Sequence, residues 1–338
     1  MHFDGDWGPT MNGLLEHWKR WCAASGALRF VDINLRGTGQ VMFQDNPITG
    51  ALFLAAIAWG SYAGGVPQVA LGGLLGLVTA TLTAMWLRVD ADGLAAGLYG
   101  YNGILVGLAL PTFLAPTAQL WACVVLGAAV SVVATLGTAN VTRAWQVAAL
   151  TFPFVLTTWL LLLATHAFSG LDGAALWPGG EIVPLDAAAA NPLDPAAFLQ
   201  GVVRSISQVF LKGNAVSALL FLAGLAVSSI AAAAFAVAGA VVAVTTAHLL
   251  GAESALISAG LLGFSPVLTA IALGSVFYRP GPRVVAYAAL GTVFTVIVQG
   301  AMNVALTPLG IPALTAPFVL TSWLFLLPKQ HFPAEAGK

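Results

Sequence analysis

Long apolar stretches follow one another along this chain with only short polar, glycine-rich or proline-containing breaks. Continuous hydrophobic segments occupy residues 48–64, 67–87, 117–138 and 142–165, and similar segments return in the second half. Only α-helices and closed barrels span a bilayer, and barrel strands alternate apolar and polar positions with a period of two. Because these segments do not alternate, the pattern predicts an all-α polytopic membrane protein.

The segments between these stretches predict the remaining elements. Residues 1–27 mix polar and aromatic side chains, which is typical of an interfacial tail, and residues 28–45 form a first, moderately apolar helix. Residues 97–103 are rich in glycine and precede a short apolar run. A crossing needs about 20 residues, so this segment predicts a re-entrant half-helix. Residues 166–196 form an acidic loop, and residues 329–338 form a carboxyl-terminal tail.

The second half of the chain repeats motifs of the first half in the same order. Residues 151–160 return at 315–324, residues 37–46 at 205–214 and residues 97–105 at 260–268, with offsets of 164, 168 and 163. Steady offsets near half of the chain length indicate a duplicated half, since the repeats of a solenoid are only tens of residues long. The predicted division is a first repeat at 28–165, the loop at 166–196 and a second repeat at 197–328.

The basic residues predict how the two halves are oriented. Five transmembrane helices plus one re-entrant half-helix per repeat give an odd number of crossings, so the second repeat would be inverted relative to the first. With the amino terminus in the cytoplasm, Arg88, Arg204 and the acidic loop then fall outside, and the other basic residues, including Lys212, fall inside. This pattern predicts that both termini lie in the cytoplasm. The first 27 residues contain no apolar core of the signal-peptide type, so we expect insertion through the first membrane helices in a bacterial inner membrane.

The composition agrees with a membrane protein and excludes several functions. Of the 338 residues, 59% are hydrophobic and 7% are charged, whereas a soluble domain is about 25% charged. A formal net charge of −1 gives no basis for binding nucleic acid. The sequence contains no nucleophile–base pair, no cluster of metal ligands and no cofactor motif, so we expect no enzyme, no metal site and no bound cofactor.

Charged side chains are almost absent from the apolar segments, which favours passive movement of a neutral solute. A proton-coupled transporter or an ion pump normally holds an acid or a histidine deep within a span. Here His166 and His248 fall at helix ends, where capping is the simpler interpretation. An ammonium-type channel would need paired histidines in its pore. A coupled secondary transporter remains an alternative, because inverted repeats suit it as well.

Two Thr-x-Pro sequences, which begin at Thr151 and Thr315, lie inside matched apolar runs. Proline lacks an N–H group, so Pro153 and Pro317 would free the backbone carbonyls of residues 149 and 313. A freed carbonyl within a bilayer needs a partner or a polar cavity. These carbonyls and hydroxyls therefore predict a ladder of hydrogen-bond acceptors, with the two threonines facing each other near the bilayer middle. The alternative is that each Thr-x-Pro merely kinks a packed helix.

Uncharged polar and aromatic residues are also paired between the halves. The pairs are Gln40 with Gln208, Asn46 with Asn214, Tyr101 with Phe264, and Thr151 with Thr315. A pathway built from such residues would hydrogen-bond a neutral polar solute without holding it tightly, as conduction requires. Aromatic faces on both sides of the axis would admit a flat molecule, although core packing or lipid contact is the simpler explanation for any single ring.

These motifs resemble those of the urea transporter family. The resemblance rests on Gln-Val-Met-Phe-Gln-Asp-Asn-Pro-Ile-Thr-Gly at 40–50, on Gly-Tyr-Asn-Gly at 100–103 and on two Leu-Thr-x-Pro-Phe segments, and it extends from about 28 to 328. It implies two inverted repeats, each with five transmembrane helices and one re-entrant pore helix. It also implies a homotrimer in the lipid membrane, with one pore per subunit, that passes urea and close analogues down a gradient.

The resemblance assigns roles to individual pathway residues. Gln40 and Gln208 match polar positions near the two mouths, Phe43 and its counterpart Leu211 follow them, Tyr101 and Phe264 match aromatics at the pore-helix starts, and Thr151 and Thr315 match the central threonines. The second half departs from the family pattern at Leu211, Ala215, Ala218 and Ser265-Pro266. The resemblance therefore predicts an outer aromatic clamp that is one-sided.

Overall fold

The computed structural model describes residues 9–168 and 194–331, and within these ranges the regular structure is helical. Most of the predicted acidic loop at 166–196 lies outside the described residues, as do residues 1–8 of the predicted interfacial tail and residues 332–338 at the carboxyl terminus. For the part of the chain that the structure describes, the prediction of an all-α protein is confirmed.

From the second helix onwards, the helices of the first half recur in the same order in the second half. In the first half they are α1 Pro9–Ala24, α2 Gly26–Gln40, α3 Pro47–Ala63, α4 Pro67–Trp86, α5 Ala91–Ala95, α6 Tyr101–Phe113, α7 Ala118–Thr142 and α8 Phe152–Ala164. In the second half they are α9 Pro195–Ser207, α10 Ala215–Ser228, α11 Ile230–Leu249, α12 Ser254–Ser258, α13 Phe264–Ile271, α14 Pro282–Leu306 and α15 Ala316–Leu326. A π-helical turn, Ala272–Val276, extends α13, and 3-10 turns follow α7, α9, α14 and α15.

Several of these helices are long and apolar enough to cross a membrane. They are Pro67–Trp86, Ala118–Trp145, Ile230–Leu249 and Pro282–Leu309, and the pair Pro195–Phe210 with Ala215–Ser228, bent by 71°, provides a fifth in the described part of the chain. Shorter apolar helices, among them α3, α6, α8, α13 and α15, contribute the rest. The structure thus confirms a polytopic membrane protein, while the number of five crossings per half stays a prediction.

Matched helices begin with matched caps. The side chain of Asn46 accepts hydrogen bonds from the N–H groups of Ile48 and Thr49 at the start of α3, and Asn214 accepts the equivalent bonds at the start of α10. An asparagine cap satisfies backbone donors that a helix start otherwise leaves unpaired. Ala215 replaces the proline found at Pro47 in the first half. Helix α10 still starts at the same place, because the Asn214 cap forms without a proline.

The sequence predicted one continuous span at 142–165, and this prediction was wrong. Helix α7 ends at Thr142, a 3-10 turn covers Arg143–Trp145, and α8 begins only at Phe152. Leu150 has a φ of 52° and its counterpart Leu314 a φ of 51°, in a region that side chains rarely adopt. Pro153 then lies in the first turn of α8, and Pro317 in that of α15. Each proline therefore starts a helix instead of kinking one.

Helices α4 and α6 pack against each other over most of their lengths in antiparallel directions. Gly76 approaches the carbonyl oxygen of Gly103, and Gly107 approaches that of Gly72, so closely that a Cβ at either glycine would overlap the facing backbone. Small residues let membrane helices approach in this way. The end of α6 therefore lies beside the start of α4. A re-entrant helix at 97–110, as the sequence predicted, would have turned back to the end of α4. The prediction of a re-entrant helix in this segment was therefore wrong.

The antiparallel packing separates two ends of the molecule, here named the Arg88 end and the Lys212 end. Helix α6 runs antiparallel to α7 as well, since Asn102 contacts Thr135 and Val106 lies next to Gly127. The residues that follow α4 and α7, Arg88 and Arg143, therefore lie at the same end. Lys212 lies at the opposite end, where it lines a cavity with the start of α4 and the end of α6.

Most basic residues of the described chain lie at the Arg88 end. Val147 packs with Tyr278 and Val284, which brings the start of α14 to this end, and Lys329 lies over the Tyr278 ring. The basic residues there include Arg36, Arg88, Arg143, Arg279, Arg283 and Lys329, whereas Arg204 and Lys212 lie at the other end. The sequence-based placement of Arg88 apart from Arg143 was wrong, because α6 does not return to the end of α4. The placement of Lys212 with Arg143 was also wrong, because Lys212 lies beside the start of α4. The strong bias in charge is unchanged by this exchange.

Candidate conduction pathway

Two threonine hydroxyls meet at the centre of the molecule. The Oγ1 atoms of Thr151 and Thr315 lie 2.7 Å apart, and both side chains are buried. Each threonine directly precedes a short helix, so the positive ends of α8 and α15 converge on this contact. The two helices then run towards opposite ends, because His166 after α8 contacts the Leu309 carbonyl and Phe325 of α15 contacts Tyr278. The predicted contact between the threonines is present.

Two tryptophans exchange equivalent hydrogen bonds around the threonine pair. The indole N–H of Trp159 donates to the carbonyl of Pro312 at 2.8 Å, and that of Trp323 donates to the carbonyl of Ala148 at 2.9 Å. The two bonds are equivalent at the repeat offset of 164, which is the pattern expected when a two-fold axis relates two halves. Each tryptophan thus ties its own short helix to the irregular segment before the other one.

The backbone carbonyls before the threonines are all engaged, contrary to the prediction that proline frees them. The carbonyl of Ala149 accepts from the N–H of Phe152 at 3.3 Å, and that of Ala313 accepts from Ala316 at 3.2 Å. Neither alanine lies within a helix, so Pro153 and Pro317 remove no hydrogen bond from them. A carbonyl oxygen has two lone pairs, and each of these long bonds leaves further capacity to accept.

Tyr101 and Ser265 serve the same carbonyl position in the two halves. The hydroxyl of Tyr101 donates to the carbonyl of Leu150 at 2.7 Å. In the second half Phe264 stands in place of Tyr101 and has no hydroxyl, but Ser265 donates to the Leu314 carbonyl at 3.4 Å. Ser265 thus supplies the hydroxyl that Phe264 lacks. The rings of Tyr101 and Phe264 are both half-buried beside the central segments.

Gln40 and Gln208 are held in equivalent ways at the ends of α2 and α9. The amide nitrogen of Gln40 donates to the carbonyl of Ala96 at 2.9 Å, and that of Gln208 donates to Ala259 at 3.2 Å. Each amide nitrogen is thus committed to the loop before α6 or α13. Each amide oxygen keeps its capacity to accept a hydrogen bond from an N–H group.

The aromatic environments of Phe43 and Leu211 differ. The Phe43 ring meets Phe277 at a centroid distance of 5.9 Å and Phe318 at 6.1 Å, both close to edge-to-face. Leu211 occupies the position that matches Phe43, and both have a positive φ, of 57° and 65°. The residues that match Phe277 and Phe318 by the repeat offsets are Leu114 and Phe154. On the Arg88 side of the threonines all three matched positions are phenylalanines. On the Lys212 side only Phe154 is aromatic.

Sequence reasoning did not identify several residues that hold this centre together. Asn102 accepts a hydrogen bond from the backbone N–H of Phe154 at 3.2 Å and donates to Thr135 at 3.2 Å, so it joins α6 to α7 and α8. Thr49 donates to the Gly224 carbonyl, and Ser217 donates to the Ala56 carbonyl. The repeat offset of 168 relates these last two bonds, and a systematic comparison of polar residues at that offset would have revealed them.

The charged residues at the Arg88 end form local pairs. Arg36 contacts Asp32 at 2.7 Å and Asp45 at 2.6 Å, and the indole of Trp18 donates to Asp32. In the loop after α4, the Tyr99 hydroxyl and the Gly93 N–H both donate to Asp90, and these bonds lower the pKa of the Asp90 carboxyl. No group of three or more histidine, cysteine, aspartate or glutamate residues that could hold a metal ion occurs in the described ranges.

These features define a helical membrane transport protein in which helices α2 to α8 match α9 to α15 around an uncharged polar centre. The model of one family, described as urea transporter, matches residues 31–330. The chain therefore belongs to the urea transporter family.

Named relatives agree with this assignment. Urea transporter 1 of Ovis aries is 29% identical over 307 residues, which cover 89% of this chain and 77% of the relative. Urea transporter 1 of Rattus norvegicus is 30% identical over 303 residues, again with 89% and 77% covered. The matched region includes both halves of the chain.

Proposed function

We propose that this protein is a passive channel that conducts urea across the membrane down its concentration gradient. Membership in the urea transporter family supports urea as the permeant. The observation that carries the proposal is the buried pair of hydroxyls, Thr151 and Thr315, at the meeting point of two short helices. It supplies an uncharged polar centre where two symmetric halves of a pathway would join.

The proposed pathway passes from one mouth to the other along matched residues. Its polar positions are Gln40, Thr151, Thr315 and Gln208, and its apolar and aromatic positions are Phe43, Tyr101, Phe264 and Leu211. Urea is flat and neutral, with N–H donors and one carbonyl. Amide oxygens and hydroxyls would accept its N–H bonds as water is removed, since each unmet bond costs about 1–3 kcal/mol. The flanking rings would favour a flat solute.

Passive conduction is favoured over coupled transport by the nature of the buried side chains. Among the buried polar and charged residues that the structure describes, Lys212 carries the one charged side chain, and no carboxylate or histidine is present. Coupling to protons or sodium ions generally uses an acid or a histidine within the membrane. The same argument disfavours an ammonium-type channel with paired histidines.

We further propose the membrane arrangement and the assembly. The bias of basic residues supports the Arg88 end, with both termini, as the cytoplasmic end of a bacterial inner-membrane protein with inverted repeats. In this arrangement α2 and α9 take the re-entrant role and the other principal helices cross the bilayer. Large exposed apolar side chains such as Leu82, Leu126 and Leu290 fit contact with lipid or with other subunits. We propose a homotrimer as the assembly, on the basis of the family resemblance alone.

Flux measurements in proteoliposomes test the mechanism directly. We expect urea-driven swelling, followed by stopped-flow light scattering, to be proportional to the urea gradient and unaffected by a protonophore or by removal of sodium. Empty liposomes provide the baseline. Accumulation of urea against its gradient, abolished by the protonophore, would instead support a coupled transporter.

A further inference from the structure

Lys212 is a largely buried lysine with no counter-ion among the residues that the structure describes. The residue follows the 3-10 turn after α9, precedes α10 and is only 4% exposed. Its aliphatic stem passes Gly60 of α3, and the residue lines a cavity at the Lys212 end. No hydrogen bond or ion pair joins its ammonium group to any residue that the structure describes.

The matched position in the first half shows that the fold does not itself require a charge here. Gln44 matches Lys212 at the offset of 168 and is equally buried, at 4% exposed. Its amide donates to the carbonyl of Met42 at 2.7 Å, so its polar group is satisfied locally. A charged group on a largely buried side chain that lacks such a protein partner is costly unless an anion or water neutralises it. The lysine therefore points to a ligand that the glutamine site does not need.

The cavity beside Lys212 has the size and lining of a small-ligand site. Its volume is about 360 Å³, and binding pockets for small molecules begin at roughly 300 Å³. Its walls are mainly apolar, with Val69, Pro111, Leu114 and Leu211 among them, and Thr112 and Gln68 add polar atoms. A ligand that fills it would therefore combine an apolar body with one charged group.

The start of α4 adds a second positive feature to the same cavity. Val66, the residue before this 20-residue helix, makes no side-chain cap, and the first turn of α4 forms part of the wall. A helix start presents backbone N–H groups and the positive end of the helix dipole, which favour a bound anion. Together with the ammonium group of Lys212, this positive wall repels cations. It attracts an anion more strongly than a neutral molecule.

We propose that this cavity binds an amphiphilic monoanion, whose anionic oxygen group pairs with Lys212 and whose short apolar chain lies along Leu114 and Val69. Two sources share this chemistry: a free medium-chain carboxylate and the phosphate of an anionic membrane lipid. The cavity shares Leu211 with the proposed urea pathway, but its occupancy is measured as binding, without any flux.

The first experiment titrates the purified protein in a non-ionic detergent with octanoate and follows the melting temperature and the heat of binding. We expect saturable binding of octanoate, no comparable binding of octanol, and at least about tenfold weaker binding by Lys212→Gln. Arg204→Gln, which removes another basic residue of the same end, should bind octanoate as the native protein does. Equal affinity of Lys212→Gln and native protein, or equal binding of octanol, would overturn the proposal.

The second experiment separates the two sources of anion. Native mass spectrometry with phosphatidylglycerol and with phosphatidylcholine should show Lys212-dependent retention of the anionic lipid alone if lipid is the occupant. If octanoate binds and phosphatidylglycerol is not retained, the occupant is a free carboxylate. Ala115→Trp fills the cavity without touching the charge and should abolish either form of binding. Should neither anion bind the native protein, the site does not exist.

Discussion

At the scale of residues, the molecule depends on a few hydroxyls and carbonyls placed where hydrocarbon would otherwise be continuous. Thr151 and Thr315 hydrogen-bond to each other, and the Tyr101 hydroxyl holds the carbonyl just before Thr151. These three hydroxyls are satisfied in the absence of solute, which keeps the centre stable within an apolar core. We expect a passing urea molecule to break the hydrogen bond between the two threonines and to donate its own N–H groups to their hydroxyl oxygens.

The threonine pair yields the sharpest prediction at this scale. Thr→Val keeps the side-chain shape and removes the acceptor, so we expect a loss of about 1–2 kcal/mol at the barrier per site and urea flux roughly 5- to 30-fold slower in proteoliposomes. Thr→Ser should be nearly silent. Thr292→Val is the matched control, because its buried hydroxyl bonds within α14, to Ala288. Wild-type flux in the double valine variant would exclude the pair from the pathway.

The ring of Phe264 gives a second prediction. Phe264→Ala should enlarge the region beside the second central segment and lower the ratio of urea flux to acetamide or methylurea flux. The ratio separates pathway from packing, because a purely structural role would reduce stability and leave the selectivity as it is. Phe294→Ala, which removes an exposed ring of α14, serves as the control.

At the scale of elements, glycines decide how closely the helices pack. Helices α4 and α6 meet through Gly72, Gly76, Gly103 and Gly107, where each backbone leaves no room for a Cβ on the other. The same close packing sets the direction of α6, and therefore which end of the molecule its loops reach.

This packing predicts the effect of an added methyl group. Gly107→Ala should force α4 and α6 apart and cost about 1–3 kcal/mol, which lowers the melting temperature of the purified protein. Gly137→Ala in α7 is the matched control, since nothing lies within 4 Å of its Cβ position, and it should be neutral or slightly stabilising. Equal melting temperatures for the two variants would contradict the predicted contact.

At the scale of the whole molecule, reciprocal bonds relate the two halves. Trp159 and Trp323 exchange bonds with opposite segments, and Thr49 and Ser217 do the same between α3 and α10. Such pairs hold the halves to each other through the centre, and they give each end of the proposed pathway a matched counterpart.

The proposed orientation is tested by labelling single cysteines. In a background without Cys22 and Cys123, Leu250→Cys at the Lys212 end should react with an impermeant thiol reagent in intact spheroplasts. Gly281→Cys at the Arg88 end should react only after lysis. Leu250 is 63% exposed, and nothing lies within 4 Å of a Cβ at Gly281, so both thiols would be accessible from their own side. The reverse pattern would place the Arg88 end outside.

The amino-acid sequence by itself determined the class of the protein and its internal repeat. Continuous hydrophobicity excludes a soluble domain and a barrel, since both require polar positions at regular places. The constant offsets identified Thr151 with Thr315 and Gln40 with Gln208 before any contact was known. These inferences succeed because they depend only on residue type and on spacing along the chain.

The tertiary structure decided the backbone path and the bonding partners. The sequence pattern did not predict the break before α8 or the direction of α6. It also did not predict which end of the molecule holds Arg88 and which holds Lys212. An apolar run has no periodic signal that marks where a helix starts, and membrane helices associate through small residues and hydrogen bonds between distant positions. The Trp323 bond to Ala148 joins residues 175 positions apart, and only the folded chain brings such residues together.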